Sequence, residues 1–212
     1  MKIIITGATG MIGEGMLLAT LDHNDISEIL MVNRRSSPIK HSKLSELLVK
    51  DFTDLSNYRS QLTGFDACIY CAGISSVGMN EDRYSYITYD TTVLFANELS
   101  HLNPNMVFFY LSGVYSDSSE NGNIMWARIK GKTENKINSL GFKRVYSFRP
   151  GFIVPLKEQK NVRLVYKFLN LIYPFIFPHQ TLTYGQIINS LIRLMTEGYS
   201  NKILEIRDLK NN

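Results

Sequence analysis

The chain has 212 residues, and its 23 Lys and Arg residues against 19 Asp and Glu residues give a net charge of +4 and a pI near 9.0. Hydrophobic residues at 44% and charged residues at 20% exclude intrinsic disorder and predict one globular domain with a sizeable core. The two Cys residues exclude a disulfide scaffold, and they form no zinc-ligand spacing with the four His residues. Without an uninterrupted apolar stretch of about 18 residues, no membrane span is predicted, so we expect a cytoplasmic protein. The scattered Lys and Arg residues argue against a nucleic-acid partner.

Short apolar runs alternate with helix-length segments from the first residues to Pro150. The runs predict strands at residues 3–5, 29–32, 44–49, 67–70, 106–111 and 144–148. The segments between them predict helices, most clearly at residues 11–20, 85–102 and 124–140. Strands without polar alternation are typical of parallel sheets that are covered on both faces. We therefore predict an α/β fold with a doubly wound parallel sheet.

The alternation stops after the sixth predicted strand. Residues 184–196 predict a helix and residues 203–206 a short strand, and both follow an apolar stretch at residues 164–178. We predict a single domain over residues 1–212, in which roughly residues 151–212 form a small C-terminal lobe at the carboxyl edge of the sheet.

The apolar stretch at residues 164–178 allows several interpretations. Arg163, Lys167 and Asn170 would lie on one narrow polar stripe of a helix whose other faces are apolar, and Pro174 would kink or end this helix. The plainest interpretation is a helix of the C-terminal lobe that packs on the sheet. The alternatives are a pocket for an apolar substrate, the face of a homodimer, and attachment to a membrane surface. Four nearby basic residues would aid such attachment: Lys157, Lys160, Arg163 and Lys167.

Glycines at positions 7, 10 and 13 follow the first predicted strand and open the first predicted helix. In this context the first glycine permits a tight turn, the second lets backbone N–H groups approach a pyrophosphate, and the third lets the helix pack closely on the strand. The N-terminus of the helix adds partial positive charge and unpaired N–H donors. We therefore predict dinucleotide contacts from the loop residues Gly7, Thr9, Gly10, Met11, Ile12 and Gly13.

The end of the second predicted strand indicates which dinucleotide is bound. NAD sites place Asp or Glu about 20 residues beyond the glycine loop, whereas NADP sites place Arg nearby for the 2′-phosphate. Here the strand is followed by Asn33, Arg34, Arg35, Ser36 and Ser37, with no acid among them. Two guanidinium groups and two hydroxyls suit a phosphate monoester, so we predict NADP(H) binding through Asn33, Arg34 and Arg35. NAD(H) is the less favoured cofactor, and a solvated basic loop is the interpretation without a ligand.

With these motifs, the sequence resembles the short-chain dehydrogenase/reductase superfamily, in its extended and atypical branch of NAD-dependent epimerase/dehydratases. The resemblance covers roughly residues 2–155. It is carried by the loop at residues 6–10, Asp51-Phe52, Cys71-Ala72-Gly73, Leu111-Ser112-Gly113 and Arg149-Pro150-Gly151. The resemblance implies a Rossmann-type fold that binds NAD(P), with Asp51 and Phe52 beside the adenine and with Cys71, Ala72 and Gly73 beside its ribose. It also implies that Ser112 orients a substrate oxygen in an oxidoreductase or epimerase that acts on a small molecule.

The sequence departs from this family at the catalytic helix, where members carry Tyr-x-x-x-Lys. Lys130 is present, and the resemblance implies that it binds the nicotinamide ribose, but Trp126 occupies the tyrosine position. An indole N–H only donates a hydrogen bond and does not ionise at accessible pH, so Trp126 cannot act as a general acid or base. Three interpretations remain: a non-catalytic NADPH-binding regulatory or redox-sensing protein, a proton relay through Tyr115, and chemistry in which Ser112 and a water molecule carry the proton.

Overall fold

The computed structural model describes residues 1–211, without the side chain of Asn211. Its strands are β1 (Lys2–Thr6), β2 (Glu28–Asn33), β3 (Leu44–Leu48), β4 (Ala67–Tyr70), β5 (Val107–Leu111), β6 (Arg144–Phe148), β7 (Phe152–Val154), β8 (Thr181–Thr183) and β9 (Ile203–Leu204). Its α-helices are α1 (Met11–Leu21), α2 (Arg59–Leu62), α3 (Glu81–Ser85), α4 (Thr91–Leu102), α5 (Met125–Ile137), α6 (Leu164–Ile176), α7 (Tyr184–Thr196) and α8 (Ile206–Asn211). A π-helical turn, Tyr86–Asp90, joins α3 to α4.

Within the described range, the large sheet has seven parallel strands in the order β3-β2-β1-β4-β5-β6-β9. The chain builds outward from β1 to β3 and then crosses back, so that β4 pairs with the other side of β1 and Ala67 lies opposite Ile3. This reversal opens a crevice between the carboxyl ends of β1 and β4, which is where ligands bind in open α/β sheets. The predicted doubly wound parallel sheet of the Rossmann type is confirmed.

Both faces of the sheet are covered by helices. Alternate residues of each strand point to opposite sides and so pack on different helices. On β1, Ile3 and Ile5 belong to an apolar cluster with residues of α1 and α7, whereas Ile4 belongs to a second cluster with residues of α4. All three isoleucines are at most 1% exposed. Burial on both faces explains why the first strand is a continuous apolar run in the sequence.

The segment after β6 returns to the N-terminal half of the molecule. β9 adds to the sheet beside β6, which confirms the predicted terminal strand, and α7 packs on α1. The predicted helix at residues 184–196 is confirmed as α7, and it begins where it does because Thr183 and Gln186 form a capping box. Gly15 of α1 leaves room for the ring of Tyr184, which a Cβ at this position would overlap.

Helix α6 differs from the expectation that it packs on the sheet. None of its residues is buried. Its inward contacts include Tyr166 and Tyr173, whose ring centroids lie 5.8 and 4.9 Å from that of Phe152. The helix continues past Pro174 to Ile176, so the proline lies inside its last turn. No helix in the described part of the chain is long and apolar enough to cross a membrane.

The predicted helix at residues 85–102 begins earlier than expected, at Glu81. It starts there because the side chain of Asn80 accepts a hydrogen bond from the backbone N–H of Arg83, at 3.0 Å. The π-helical turn that follows inserts an extra residue into the helix, a feature that is frequent at functional sites. This turn supplies several residues to the crevice.

Candidate functional site

Two adjoining cavities occupy the crevice at the carboxyl ends of β1 and β4. The first, the β2-side cavity, has a volume of about 370 Å³ and reaches the segments that follow β2 and β3. The second, the β5-side cavity, has a volume of about 640 Å³ and reaches the end of β5 and Lys130 on α5. Both cavities are lined by Thr9, Gly10 and residues 71–73, so they form one continuous cleft.

Apart from Ser36 and Ser37, every residue that the sequence analysis assigned to a cofactor lines this cleft. The β2-side cavity is lined by Gly7, Asn33, Arg34, Arg35, Asp51 and Phe52, the β5-side cavity by Met11, Ile12, Gly13, Ser112 and Lys130, and both by Thr9, Gly10, Cys71, Ala72 and Gly73. The strand ends that carry these residues are distant in sequence. They converge because parallel strands place their carboxyl ends at the same edge of the sheet.

The glycine loop has a shape that larger residues do not fit. Gly7 has a φ of +71°, and a Cβ there would lie 2.6 Å from the backbone nitrogen of Ala72. A Cβ at Gly13 would overlap the carbonyl oxygen of Gly7, so α1 packs directly against the loop. The N–H of Gly10 donates to the carbonyl oxygen of Gly7 at 2.9 Å and closes the turn.

Helix α1 presents its first backbone N–H groups to the cleft without a capping side chain. Its N-cap residue is Gly10, which has no side chain that could accept a hydrogen bond from these N–H groups. The N–H of Glu14 donates to the carbonyl oxygen of Gly10 at 2.9 Å, which begins the hydrogen-bond ladder of the helix. The N–H groups of Met11, Ile12 and Gly13 precede this ladder, and the helix dipole adds positive potential there. The end of the helix is therefore suited to bind an anion.

Asn33 leaves a buried donor unpaired in the β2-side cavity. Its Oδ1 accepts a hydrogen bond from the N–H of Ala8 at 3.1 Å, which holds the amide against the glycine loop. Its Nδ2 has no hydrogen-bond partner among residues 1–211, although Asn33 is only 2% exposed. A buried donor without a partner costs free energy unless a polar ligand satisfies it. Asn33 and the uncapped end of α1 therefore fit a polar, anionic ligand such as a dinucleotide.

Exposed cations line the β2-side cavity: Arg34, Arg35 and Lys50. Sequence analysis missed Lys50, because only the fold brings the end of β3 beside the end of β2. One oxygen of the Asp51 carboxylate is hydrogen-bonded within the chain: its Oδ1 accepts hydrogen bonds from the N–H and Oγ1 of Thr53 at 2.8 and 2.7 Å. These bonds hold the pKa of the Asp51 carboxyl below its ordinary value. Asp51 therefore stays ionised, and the three cations against this one carboxylate leave the cavity wall with an excess of positive charge.

The hydroxyls of Ser36 and Ser37 do not line the cavity in the described structure, unlike the expectation that they face a phosphate. Ser36 Oγ donates to Glu46 Oε2 at 2.7 Å, and the N–H of Ser37 donates to Glu46 Oε1 at 2.8 Å. Glu46 lies on β3, so these bonds tie the basic loop to the sheet. The serines therefore support the loop that carries Arg34 and Arg35.

Ser112 and Lys130 lie at the β5 end of the cleft. Ser112 follows β5 directly, and its Oγ lies 2.8 Å from the Oγ of Ser116. The Nζ of Lys130 donates to the carbonyl oxygen of Leu111 at 3.2 Å. Burial lowers the pKa of Lys130 to about 8, although the charge of Glu134 opposes this shift. The two side chains bring a hydroxyl and an amine to the same wall, and both retain hydrogen-bonding capacity for a ligand.

Trp126 and Tyr115 are not among the described residues that line the cleft. Trp126 is half-buried one turn before Lys130, and its Cζ3 would lie 3.1 Å from a Cβ at Gly113. The indole therefore packs against the backbone that follows Ser112. Tyr115 is 76% exposed. This position does not support a proton relay through Tyr115.

The structure also brings residues to the β5-side cavity that sequence reasoning missed. Tyr84 and Thr88 come from α3 and the π-helical turn, and Asn161, Arg163 and Tyr166 come from the start of α6 and the loop before it. Burial raises the pKa of Tyr84, so its phenol stays neutral. None of these residues follows a strand of the large sheet. Neither a position directly after a strand nor the family resemblance therefore pointed to these residues.

Glu14 ties the C-terminal segment to the helix that follows the glycine loop. Its buried carboxylate accepts hydrogen bonds from the N–H of Lys160 at 3.1 Å and from the N–H of Asn161 at 2.7 Å. The Nε2 of Gln159 donates to the carbonyl oxygen of Met11 at 2.7 Å. These bonds hold the loop before α6 over the N-terminus of α1 and so bring the lobe to the cleft.

A comparison with known protein families shows to which family the chain with this cleft belongs. The model of the NAD dependent epimerase/dehydratase family matches residues 3–129, a range that contains the glycine loop, Asn33 and Ser112. The chain belongs to this family. Lys130 lies one residue beyond the matched range.

Similar proteins of known sequence align with about three quarters of this chain. Protein HTATIP2 of Rattus norvegicus is 27% identical over 162 residues, which are 76% of this chain and 66% of that protein. Protein fmp52-1, mitochondrial, of Aspergillus terreus is 25% identical over 167 residues, which are 76% of this chain and 70% of that protein. The chain therefore spans about two thirds of the length of these relatives.

Solved structures agree with the fold of the epimerase/dehydratase family. A short chain dehydrogenase family protein from Francisella tularensis aligns with a TM-score of 0.69 and 15% identity, over 97% of this chain and 96% of that one. The Bordetella bronchiseptica enzyme WbmF, solved with NAD+, aligns with a TM-score of 0.68 and 14% identity, over 99% of this chain and 76% of that one. At these identities the likeness is one of fold.

Proposed function

We propose that this member of the epimerase/dehydratase family binds NADP(H) in the cleft and transfers hydride between the nicotinamide and a carbonyl or alcohol carbon of a small molecule. The wall of the β2-side cavity carries the proposal, because its three cations, Arg34, Arg35 and Lys50, outnumber its single carboxylate, Asp51. A phosphate monoester carries nearly two negative charges near neutral pH, so these cations would attract the 2′-phosphate. NAD(H) lacks this phosphate and would leave the cations unpaired.

The rest of the cleft fits the remaining parts of such a cofactor. The N–H groups of Met11, Ile12 and Gly13 would bind the pyrophosphate at the positive end of α1. The Nδ2 of Asn33 would donate to the adenosine half, which satisfies a donor that is otherwise buried without a partner. Phe52 would contact the adenine ring. When bound, the nicotinamide would supply or accept the hydride.

The residues at the β5 end would hold the substrate and move its proton. Ser112 Oγ would bind the substrate oxygen, and Lys130 Nζ would bind the ribose hydroxyls. Because burial lowers the pKa of Lys130 to about 8, its amine exchanges a proton near neutral pH, which the indole of Trp126 does not do. Lys130 is therefore the ionisable group on the same cavity wall as Ser112 from which a water molecule would carry a proton to the substrate oxygen, while Ser112 holds that oxygen by a hydrogen bond.

A non-catalytic NADPH-binding regulatory or redox-sensing protein is the second candidate. Trp126 favours it, because its indole fills the space beside Gly113 and has no ionisable proton to give. The glycine loop, the basic wall and Lys130 would bind the cofactor in the same way in this candidate. Only the proton transfer would be missing.

Calorimetric titration of the intact chain with NADPH and NADH tests the choice of cofactor. We expect tighter binding of NADPH. The double variant Arg34→Ala with Arg35→Ala should weaken NADPH binding by about thirtyfold, at roughly 1 kcal/mol for each exposed cation, and leave NADH binding nearly unchanged. Lys40→Ala is the matched control, because Lys40 is an exposed cation after β2 that does not line the described cavity wall. Tighter binding of NADH by the parent chain would contradict the proposal.

Turnover assays with NADPH and a panel of aldehydes and ketones separate the two candidates. If the chain is an enzyme, the parent turns over part of the panel, and Trp126→Tyr raises the rate by about a hundredfold because a phenol one turn before Lys130 is a stronger proton donor. Trp126→Phe, which removes the indole without adding an acid, is the control and should give no gain. If parent and variants bind NADPH but turn over nothing, the regulatory protein is the better assignment.

A further inference from the structure

Helix α6 presents a wide apolar face to solvent. Successive residues of an α-helix are about 100° apart, which places its large apolar residues within a sector of roughly 160°. Phe168 is 69% exposed and Phe175 is 83% exposed. Eight residues form this apolar stripe, and each is at least 42% exposed: Leu164, Val165, Phe168, Leu169, Leu171, Ile172, Phe175 and Ile176.

The described residues, 1–211, leave this stripe uncovered. Tyr166 and Tyr173 lie on the opposite side of α6 and pack on the ring of Phe152, and the hydroxyl of Tyr173 donates to Gln180 Oε1 at 3.0 Å. These contacts fix the helix with its tyrosines inward and its apolar stripe outward. So many large apolar side chains on one exposed face are typical of an interaction surface.

The charges around the stripe indicate what covers it. Exposed cations lie along its N-terminal end: Lys157, Lys160, Arg163 and Lys167. Glu158 is the only acidic residue in residues 157–178 of the sequence, and α6 itself has none. If a second copy of the chain covered the stripe with its own α6, it would bring the same cations and no carboxylate to pair with them. Anionic lipid headgroups would pair with the cations while the acyl region accepts the apolar side chains.

We propose that α6 docks this protein on an anionic membrane surface, with the apolar stripe in the acyl boundary and the bordering lysines among the headgroups. The 13 residues of α6 give a length of about 20 Å, which is shorter than the hydrocarbon core of about 30 Å, so the helix lies in the plane of the interface. A helix in this position buries its apolar face about 5–10 Å deep. The stripe residues do not line the described cleft, so they stay available to a membrane when a cofactor is bound, whereas Arg163 and Tyr166 at the start of α6 do line it.

Co-sedimentation of the full chain with vesicles tests the apolar part of the proposal. The protein should sediment with vesicles of phosphatidylcholine and phosphatidylserine. The double variant Phe168→Ser with Phe175→Ser should lose at least about tenfold in partition coefficient, because two exposed rings no longer enter the acyl region. Val77→Ser with Leu94→Ser is the matched control, since these residues are exposed and apolar but lie outside α6. A parent chain that stays in the supernatant overturns the proposal.

The same assay with varied lipid charge tests the electrostatic part. Lys157→Gln with Lys167→Gln should weaken binding to the anionic vesicles by at least about tenfold, and the parent should bind vesicles of phosphatidylcholine alone much more weakly. Lys136→Gln with Lys202→Gln is the control, because both lysines are exposed and distant in sequence from α6. Equal binding of the parent to neutral and anionic vesicles overturns the proposal.

A fluorescence variant reports insertion directly and does not depend on the loss of binding. The chain has a single tryptophan, Trp126, which is half-buried on α5. In the variant Phe175→Trp, anionic vesicles should shift the emission to shorter wavelength, whereas the parent should show no shift. If a second copy of the chain covers the stripe instead, the outcome is the opposite. Sedimentation velocity then shows a dimer, the double variant Phe168→Ser with Phe175→Ser dissociates it, and vesicles do not shift the emission. That result would overturn membrane docking.

Discussion

The buried ion pair between Glu134 and Arg149 allows a sharp prediction about stability. Arg149 Nε donates to Glu134 Oε1 at 3.0 Å, and Arg149 Nη2 donates to Oε2 at 2.5 Å and to Ser118 Oγ at 2.9 Å. The side chains are 11% and 1% exposed, so neither charge is well solvated. Removal of one partner of such a pair costs about 3–5 kcal/mol, because the other charge stays buried without compensation. We expect Glu134→Met to lower the free energy of unfolding by about 3 kcal/mol, since Ser118 still serves Arg149.

Urea denaturation of a double-mutant cycle measures this cost. The variant Glu134→Met with Arg149→Met should recover most of the lost stability, since a buried pair is often replaced by apolar residues without loss. The exposed pair Lys2–Glu28, whose side chains are 53% and 42% exposed, is the matched control, and Glu28→Gln should cost less than about 1 kcal/mol. The reasoning fails if Glu134→Met also costs less than about 1 kcal/mol, or if the double variant is as unstable as the sum of the single ones.

Two other substitutions test the glycine loop and the buried lysine. Gly13→Ala should abolish cofactor binding and lower stability because its Cβ overlaps the carbonyl oxygen of Gly7. Gly185→Ala, whose Cβ would have no atom closer than 4.0 Å, is the control, and it should leave cofactor binding unchanged and slightly raise stability because Ala replaces Gly inside α7. The folded chain releases the proton of Lys130 with a pKa of about 8, below the ordinary 10.5, so burial of this charge destabilises the fold below about pH 8. Lys130→Met should therefore raise the urea midpoint near pH 7, and this gain in stability should disappear as the pH rises from about 8 to 10.5. A gain that is the same at every pH would contradict burial of the Lys130 charge as its cause.

The sequence allowed most of the cleft to be predicted because its residues follow the strands directly. The glycine loop, Asn33 with the two arginines, residues 71–73 and Ser112 each come at the end of a buried apolar run, and parallel strands bring such ends together. Local patterns predicted the glycine loop, Asn33 and the two arginines, whereas residues 71–73 and Ser112 were assigned through the family resemblance. The cytoplasmic location and the absence of a nucleic-acid partner stay predictions.

The residues that sequence reasoning missed depend on long-range packing. Lys50 lines the β2-side cavity only because β3 pairs with β2, and Arg163 and Tyr166 reach the other cavity only because Glu14 binds the loop before α6. The sequence also left open whether the apolar face of α6 is buried, for a physical reason. An amphipathic helix has the same sequence pattern whether its apolar face is buried in a core or exposed.

The bonds of Glu14 to the loop before α6 also affect the order in which the molecule can be assembled during synthesis. Helix α1 is translated early, but the backbone donors that satisfy Glu14 follow it by 146 and 147 residues, and α7, which covers the same helix, is made later still. Contacts this distant in sequence form slowly, because the intervening chain loses its freedom first. A nascent chain that has reached only β6 therefore exposes the apolar side of α1 and a carboxylate without its donors. The glycine loop acquires its final support only after α7 has left the ribosome, and until then the exposed apolar surface of α1 favours aggregation.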